Sequence, residues 1–171
     1  MLEPLPPEVE QLIERRRQLG LDLYDEIWEG TYHVAPAPMD RHGDLDQQLA
    51  VLLDPLARDA GLVARGAINV GEQGNFRVPD RSLLRERPDP GAVYHPSAAV
   101  VIEILSPGDE TWDKLPFYAS RAVEELWVVD PEQRRVHLLR RTGDGYEGAE
   151  TSGVLDTDRE RLEAAIRWPV R

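Results

Sequence analysis

The sequence contains no cysteine, which excludes disulfide bonds and thiolate zinc sites and is compatible with a reducing compartment. Its apolar runs are much shorter than the ~20 residues that a membrane-spanning helix needs, and the first residues lack the apolar core of a signal peptide. These absences predict a cytoplasmic protein without a membrane partner.

Motifs of several enzyme classes are missing as well. No glycine-rich loop precedes a Lys-Ser or Lys-Thr pair, no dinucleotide fingerprint follows a strand, and the four histidines are too scattered to form a zinc pair. A serine nucleophile requires a paired base, and Ser106 has none nearby in the sequence. The sequence therefore does not indicate a P-loop enzyme, a Rossmann dehydrogenase, a zinc hydrolase or a serine hydrolase.

Basic residues are in deficit, with 20 Lys and Arg against 32 Asp and Glu and a net charge of −12. This balance argues against broad attraction to phosphate backbones, although a local basic face can coexist with an acidic whole. The length of 171 residues and the hydrophobic content of 41% suit one domain over 1–171. We divide it into an N-terminal helical arm (1–20), a core (25–141) and a C-terminal extension (142–171).

Apolar residues at helical spacing predict a short helix over 7–19 and a long one over 42–60. Pro55 lies inside the long helix and is expected to kink or divide it. A third helix is expected to begin near Asp113, because Pro116 is tolerated only in a first turn.

Strands are predicted from alternating and unbroken apolar runs. The alternating segments are a strand pair over 25–34 around Glu29-Gly30, a hairpin of 62–70 with 76–84, and 134–140. The unbroken segments, read as strands buried on both faces, are 98–105 and 123–130. Residues 85–96 are interpreted as an exposed loop, and the tail as a helical turn followed by a terminal strand.

Glu103 is the anomaly of this pattern, because it interrupts the apolar run Ala98–Leu105. Burying an unpaired carboxylate costs several kcal/mol, so Glu103 requires a cation or a metal as a partner. The alternative is a buried acid paired with a structural arginine or capping a helix.

Two more residues complete a candidate site. Asp80 follows Pro79 in a predicted strand, and Lys114 stands at the start of the third helix. Two carboxylates that hold a magnesium-like ion, with a lysine that orients or deprotonates water and stabilises developing charge, are what phosphodiester hydrolysis requires. Asp80 could instead form a surface ion pair, and Lys114 could be solvated.

These residues resemble the Uma-two family of restriction-endonuclease-like proteins, a branch of the PD-(D/E)XK nuclease superfamily. The resemblance runs from Trp28-Glu29-Gly30 to Asp130-Pro131. It is carried by the following segments: Pro79-Asp80, Glu103-Ile104-Leu105-Ser106-Pro107, Asp113-Lys114-Leu115 with Tyr118, and Trp127-Val128-Val129-Asp130-Pro131.

The resemblance implies an α/β (α+β) fold, in which helices flank a mixed sheet, and a Mg²⁺ or Mn²⁺ ion held by Asp80 and Glu103. It gives Lys114 the role of the signature lysine. The chain departs from the parent superfamily at Leu105, where that lysine would stand two residues after the acid, so Lys114 has to reach in from the following helix. A second departure, at Ser120-Arg121, concerns a helix cap.

Three further residues are secondary candidates. Glu29 and His42 could approach the metal from the first strand pair and from the start of the long helix. Tyr118 lies one helical turn beyond Lys114. Each of the three has a structural alternative, as a turn residue, a helix cap or a packing residue.

The leading hypothesis is a metal-dependent endonuclease that acts on DNA as a homodimer, since two active sites are needed to cut both strands together. One alternative is a binding or assembly module that keeps the nuclease fold without the chemistry, which would suit the acidic composition and the apolar residue at 105. Another is a structural partner that oligomerises through its edge strands or N-terminal helix.

Overall fold

The computed structural model of the protein describes residues 6–108 and 110–169, which fold into four α-helices, a 3-10 helix and eleven strands. The helices are α1 (Pro7–Gln18), α2 (Asp40–Asp59), α3 (Leu115–Ser120) and α4 (Arg159–Ala165), and the 3-10 helix spans Thr111–Lys114. The strands before the long apolar runs are β1 (Glu26–Trp28), β2 (Thr31–His33), β3 (Val63–Arg65), β4 (Asn69–Glu72), β5 (Asn75–Arg77), β6 (Arg81–Leu84) and β7 (Tyr94–His95). The remaining strands are β8 (Val100–Ile104), β9 (Glu125–Asp130), β10 (Arg135–Thr142) and β11 (Gly145–Ala149).

The two unbroken apolar runs form β8 and β9, which are neighbours at the centre of a six-stranded sheet. Its strand order is β11-β10-β9-β8-β6-β3. β8 and β9 are parallel and every residue of both is buried, whereas all other pairs in this sheet are antiparallel. The sheet is therefore mixed, as the sequence predicted, with its most apolar strands covered on both faces.

Alternation along β8 divides the core between the two faces of this sheet. Val100, Ile102 and Ile104 pack with the buried residues of α2 and α4. Val101 packs with Phe117 of α3. Because side chains alternate along a strand, Glu103 lies on the α3 face.

The predicted hairpin of 62–70 with 76–84 is confirmed, but each of its arms is divided into two strands. β4 pairs with β5 next to the turn and β3 pairs with β6 farther from it, both antiparallel and in one register, and the β3-β6 pair belongs to the large sheet. Pro79 has no backbone N–H to donate to a ladder, which separates β5 from β6. The β4-β5 pair belongs to a smaller sheet of order β2-β1-β5-β4-β7, whose last strand lies within the segment read as a loop.

Pro55 does not divide the long helix, which was one of the two outcomes predicted for it. α2 continues through it from Asp40 to Asp59. Pro55 is exposed, so the carbonyl that loses its helical donor lies on the face where water can hydrate it. The opposite face, with Leu45, Leu49 and Leu53, is buried against the sheet.

The predicted helix at the start of the chain is present, whereas the strand predicted at its end is absent from the described residues. The predicted arm is helical over Pro7–Gln18 and has no buried residue, and residues 1–5 lie outside the described part. At the other end α4 is followed by an irregular segment over 166–169, so the terminal strand was wrong there, and 170–171 are not described. No helix within the described residues is long and apolar enough to cross a membrane.

Asp25 anchors the arm to the first strand pair. Its carboxylate accepts hydrogen bonds from Arg16 at 2.7 Å, the Tyr32 hydroxyl at 2.7 Å and the Ala35 amide at 2.9 Å. Burial alone would raise the pKa of Asp25, but these donors outweigh burial and hold it below its usual value.

Asp25→Ala is expected to lower the free energy of unfolding by about 1–3 kcal/mol, because it leaves half-buried donors without an acceptor. Since the folded pKa of Asp25 is lowered, its contribution is present above the ordinary carboxyl pKa and is lost as the pH falls through the folded value. Urea unfolding at neutral and acidic pH measures this. Glu14→Ala is the matched control, because Glu14 accepts from Arg17 and Gln18 but is exposed. Equal losses in the two variants would contradict the anchor.

Candidate active site

Asp80 lies directly before β6, where its carboxylate links two strands of the large sheet. One carboxylate oxygen accepts from the Ile104 amide at 2.7 Å, at the end of β8. The other lies 2.8 Å from Nε2 of His42, in the first turn of α2. Asp80 is therefore fixed at the point where β8 ends, with its side chain 22% exposed.

Glu103 has the cation that its burial requires. It is 4% exposed, and its Oε1 accepts from the Tyr118 hydroxyl at 2.7 Å and from Nζ of Lys114 at 3.2 Å. Burial raises the pKa of Glu103 to about 7, Lys114 opposes that rise, and the charges of Asp80 and Glu26 add to it. The partner is thus a lysine and a tyrosine, in place of the structural arginine considered above.

Lys114 reaches in from the end of the 3-10 helix and is shared between two carboxylates. Besides Glu103, it donates to Oε1 of Glu26 at 2.9 Å. Burial by itself would lower the pKa of Lys114, but the two carboxylates outweigh burial and raise it above its ordinary value. The side chain is an ammonium at neutral pH, so it can donate hydrogen bonds and stabilise negative charge but cannot act there as a base.

Glu26 is the site residue that the sequence reasoning missed. It begins β1, and its carboxylate accepts from the Val78 amide at 2.7 Å and from Nε1 of Trp28 at 2.6 Å, in addition to Lys114. It is 6% exposed. The signal that could have found it is alternation, since residues 26 and 28 of a strand share a face.

Glu29, the acid selected from this region, lies elsewhere. It occupies the turn between β1 and β2 with a positive φ of 46°, and its exposed carboxylate pairs with Arg77 at 3.2 Å. It lies outside the lining of the cavity described below. The structure places Glu26, three residues earlier, beside Lys114 instead.

The other two secondary candidates contact the predicted metal ligands. His42 hydrogen-bonds Asp80, and its Nδ1 lies 3.3 Å from the Ser106 hydroxyl. The hydrogen bond to Asp80 raises the pKa of His42, against the effect of burial. Tyr118 is fully buried and donates to Glu103. Both orient carboxylates, the usual task of residues one contact away from a metal.

A cavity of about 640 Å³ is lined by residues of both sheets, of α2 and of the 3-10 helix. Its polar wall includes Glu26, His42, Asp80, Glu103 and Lys114. The sequence thus named four of the five, taken from segments as distant as the start of α2 and the end of the 3-10 helix. Asp80 and Glu26 lie close enough to Glu103 for their charges to add to the effect of burial, which raises its pKa.

Within the described residues, no three His, Asp or Glu side chains are arranged to hold a metal ion. A site that takes two carboxylates and completes its shell with water and substrate phosphate is the usual arrangement for Mg²⁺. Asp80 and Glu103 offer hard oxygen donors with lone pairs beyond those in the hydrogen bonds above. A divalent ion would also relieve the repulsion that raises the pKa of Glu103, so the residues fit such an ion.

Comparison with known proteins identifies the family and the fold. The sequence model of the Uma2 family, described as a putative restriction endonuclease, matches residues 8–169. A crystal structure of a putative nuclease belonging to DUF820 from Anabaena variabilis superposes with a TM-score of 0.65 at 17% identity. The alignment covers 82% of this chain and 90% of that one, and it shows the shared fold.

A second solved structure, the cryoEM structure of a DrdV-DNA complex, matches with a TM-score of 0.36 and 15% identity. That alignment covers 73% of this chain but 12% of the other, a likeness too small to carry an argument. No curated protein matches the chain.

Glu103→Gln is expected to stabilise the metal-free protein above pH 7, by up to about 3 kcal/mol for a pKa shift of this size. The folded pKa is raised from 4.5 to about 7, so wild-type stability is fully present below the unfolded pKa and is lost as the pH rises through 7. An amide does not ionise, so the stability of the variant does not fall over this pH range. Chemical unfolding at pH 5 and pH 8 without divalent ions measures the difference.

Glu125→Gln is the matched control, on the adjacent strand β9. Glu125 is also buried, but it accepts from Trp127, Ser152 and the Gly153 amide. Its amide variant should lose about 1–3 kcal/mol, because an acceptor is replaced by a donor that faces donors. A Glu103→Gln protein that is less stable than wild type at pH 8 would contradict the assignment.

Proposed function

The chain belongs to the Uma2 family, described as a putative restriction endonuclease, and we propose that it is a metal-dependent endonuclease that hydrolyses phosphodiester bonds of DNA. The observation that supports this best is the ammonium of Lys114, held 3.2 Å from one predicted metal ligand, Glu103, and 2.9 Å from Glu26. A fixed cation beside hard oxygen donors is what phosphoryl transfer requires.

Asp80 and Glu103 would hold Mg²⁺ or Mn²⁺. The chemistry that such an ion supplies when bound is neutralisation of phosphate charge and polarisation of the attacking water. His42 keeps the carboxylate of Asp80 in place, and Tyr118 does the same for Glu103. These two are positioning residues.

Lys114 would stabilise the negative charge that grows on the phosphate oxygens as water attacks phosphorus and the bond to the leaving sugar oxygen breaks. The attacking water would give its proton to bulk water, and the leaving oxygen would take a proton from bulk water. Its two carboxylate partners keep it protonated, which favours this electrostatic role over proton abstraction. Glu26 would orient the ammonium of Lys114, and Val78 and Trp28 in turn hold Glu26 by hydrogen bonds.

The expected homodimer and cytoplasmic location stay predictions.

Purified protein is expected to cleave DNA with Mg²⁺ or Mn²⁺, and Asp80→Asn, Glu103→Gln and Lys114→Met should each lower the rate by about 100-fold or more. Glu26→Gln should cost about tenfold, because Lys114 keeps one of its two partners. Initial rates on plasmid DNA and on a single-stranded oligonucleotide measure this. Glu29→Gln is the matched control from the same strand pair and should cleave as wild type does. Cleavage that survives all three site variants would overturn the site.

Mn²⁺ binding followed by titration calorimetry tests the metal separately from activity. We expect binding in wild type and in Glu29→Gln, and its loss in Asp80→Asn and Glu103→Gln, because two carboxylates carry the protein's share of the coordination shell. Melting temperature should rise with Mn²⁺ only in the proteins that bind it. Absence of binding in wild type would favour a catalytically inactive binding or assembly module.

A further inference from the structure

The cavity wall is acidic, which bears on the kind of nucleic acid it can take. The carboxylates that line it are Glu26, Asp46, Asp80, Glu103 and Glu110. Among the described lining residues Lys114 is the one lysine, and there is no arginine. Arg81, which is not a lining residue, donates a hydrogen bond to the carboxylate of Asp46 at 2.8 Å. Duplex DNA is held mainly by many Lys and Arg contacts to its phosphates. A bound ion and Lys114 can compensate the charge of the phosphate that is cut. The described lining has no further Lys or Arg to compensate the neighbouring phosphates of the strand.

The cavity lining also includes exposed apolar side chains, which together we call the apolar rim. Tyr24 is 56% exposed, Val34 51% and Met39 54%, and all three line the cavity with the Pro36–Pro38 segment between them. Large exposed apolar side chains in the lining of a polar site mark a surface for an apolar partner. Nucleobases have such faces only where they are unpaired or at the end of a stack.

Tyr24 is the aromatic residue on this rim whose ring is available. Trp28 also lines the cavity, but His33 stacks on it with ring centroids 4.1 Å apart and the guanidinium of Arg77 lies 4.5 Å from its ring centroid. The faces of Trp28 are therefore occupied. A base that enters the cavity can stack on Tyr24.

The size of the cavity fits the same conclusion. A volume of about 640 Å³ lies within the range of clefts that enclose a small ligand such as a nucleotide. His33 on β2 and Glu110, ahead of the 3-10 helix, both line the cavity and hydrogen-bond each other at 3.0 Å. A base inside a continuous duplex would have to leave its stack before it could enter a cavity of this size.

We propose that the cavity binds an unpaired nucleotide, with its base against Tyr24, Val34 and Met39 and its phosphate at Asp80, Glu103 and Lys114. The substrate is then single-stranded DNA or a frayed duplex end, and a continuous duplex is a poor substrate. This inference rests on the proposed function, because it assigns the phosphate to the same carboxylates and lysine.

Binding is tested with wild-type protein and Ca²⁺, a cation that takes carboxylate ligands with looser geometry than Mg²⁺. Fluorescence anisotropy compares three labelled probes: a short single strand, the same strand in a duplex, and the same strand with abasic sites in place of its bases. The single strand is expected to bind at least about tenfold more tightly than the other two, because only it combines phosphates with free base faces.

Tyr24→Ala should weaken binding of the single strand by about fivefold or more, whereas Tyr24→Phe should keep it, because stacking requires the ring and not the hydroxyl. Val93→Ala is the control at a residue that is also exposed (60%) but does not line the cavity.

With Mg²⁺, wild-type protein should cut the single strand at least about tenfold faster than the duplex, in line with the expected difference in binding.

The outcomes separate this inference from the proposed function. Equal or better binding and cleavage of the duplex, or equal binding of the abasic strand, would overturn the inference and leave the endonuclease proposal standing. Tight, base-dependent binding of the single strand without cleavage in Mg²⁺ or Mn²⁺ would support the inference and overturn the endonuclease. No binding of any probe would overturn the inference.

Discussion

The interaction on which the site depends is the sharing of one buried ammonium between two buried carboxylates. The side chain of Lys114 is 13% exposed, and those of Glu26 and Glu103 are 8% and 5% exposed. Either carboxylate alone in this position would carry a desolvation cost of several kcal/mol. Because one cation serves both acids and Asp80 lies nearby, the cluster keeps an excess of negative charge. Burial is the main cause of the raised pKa of Glu103, and this excess of negative charge adds to it. The same excess would be relieved by a divalent cation.

The same cluster joins the two sheets. Glu103 belongs to the large sheet, Glu26 to the small one, and Lys114 to the 3-10 helix that follows β8. The Val78 amide, in the segment that passes from the small sheet to the large one, also donates to Glu26. The hydrogen bonds that aim the ammonium are thus part of the contact between the sheets, so the geometry of the site follows from how the sheets pack.

The acidic composition of the chain and a DNA substrate are compatible once the cavity is considered in detail. A protein that holds duplex DNA by its backbone needs many exposed cations, whereas one that takes a single unpaired nucleotide needs charge compensation at one phosphate and a stacking surface for one base. The carboxylates around Lys114 and the apolar rim from Tyr24 to Met39 suit the second arrangement. Low basic content then limits the class of substrate without excluding nucleic acid.

The local pattern of the sequence was enough for the large sheet and for the acid within it. An unbroken β-branched run predicted β8, and the cost of a lone buried charge predicted that Glu103 has a cationic partner; both follow from short-range chemistry. Pro55 did not divide α2, because an exposed proline leaves its orphan carbonyl to water. The two arms of the 62–84 hairpin paired as predicted, but only the tertiary packing decided that β3 and β6 lie in the large sheet and β4 and β5 in the small one.

Some residues of the site could be predicted from the sequence, and others could be identified only in the folded structure. Asp80, Glu103 and Lys114 could be named from residue type, spacing and resemblance, since each stands at the end of a recognisable element. Glu26 could not, because its importance comes from a contact with Lys114 across 88 positions of sequence. Glu29, equally acidic and close by, faces Arg77 instead. The sequence by itself determined which groups could carry the chemistry, and only the packing of the two sheets decided which carboxylates share the ammonium, because a buried charge is assigned its partner by three-dimensional proximity.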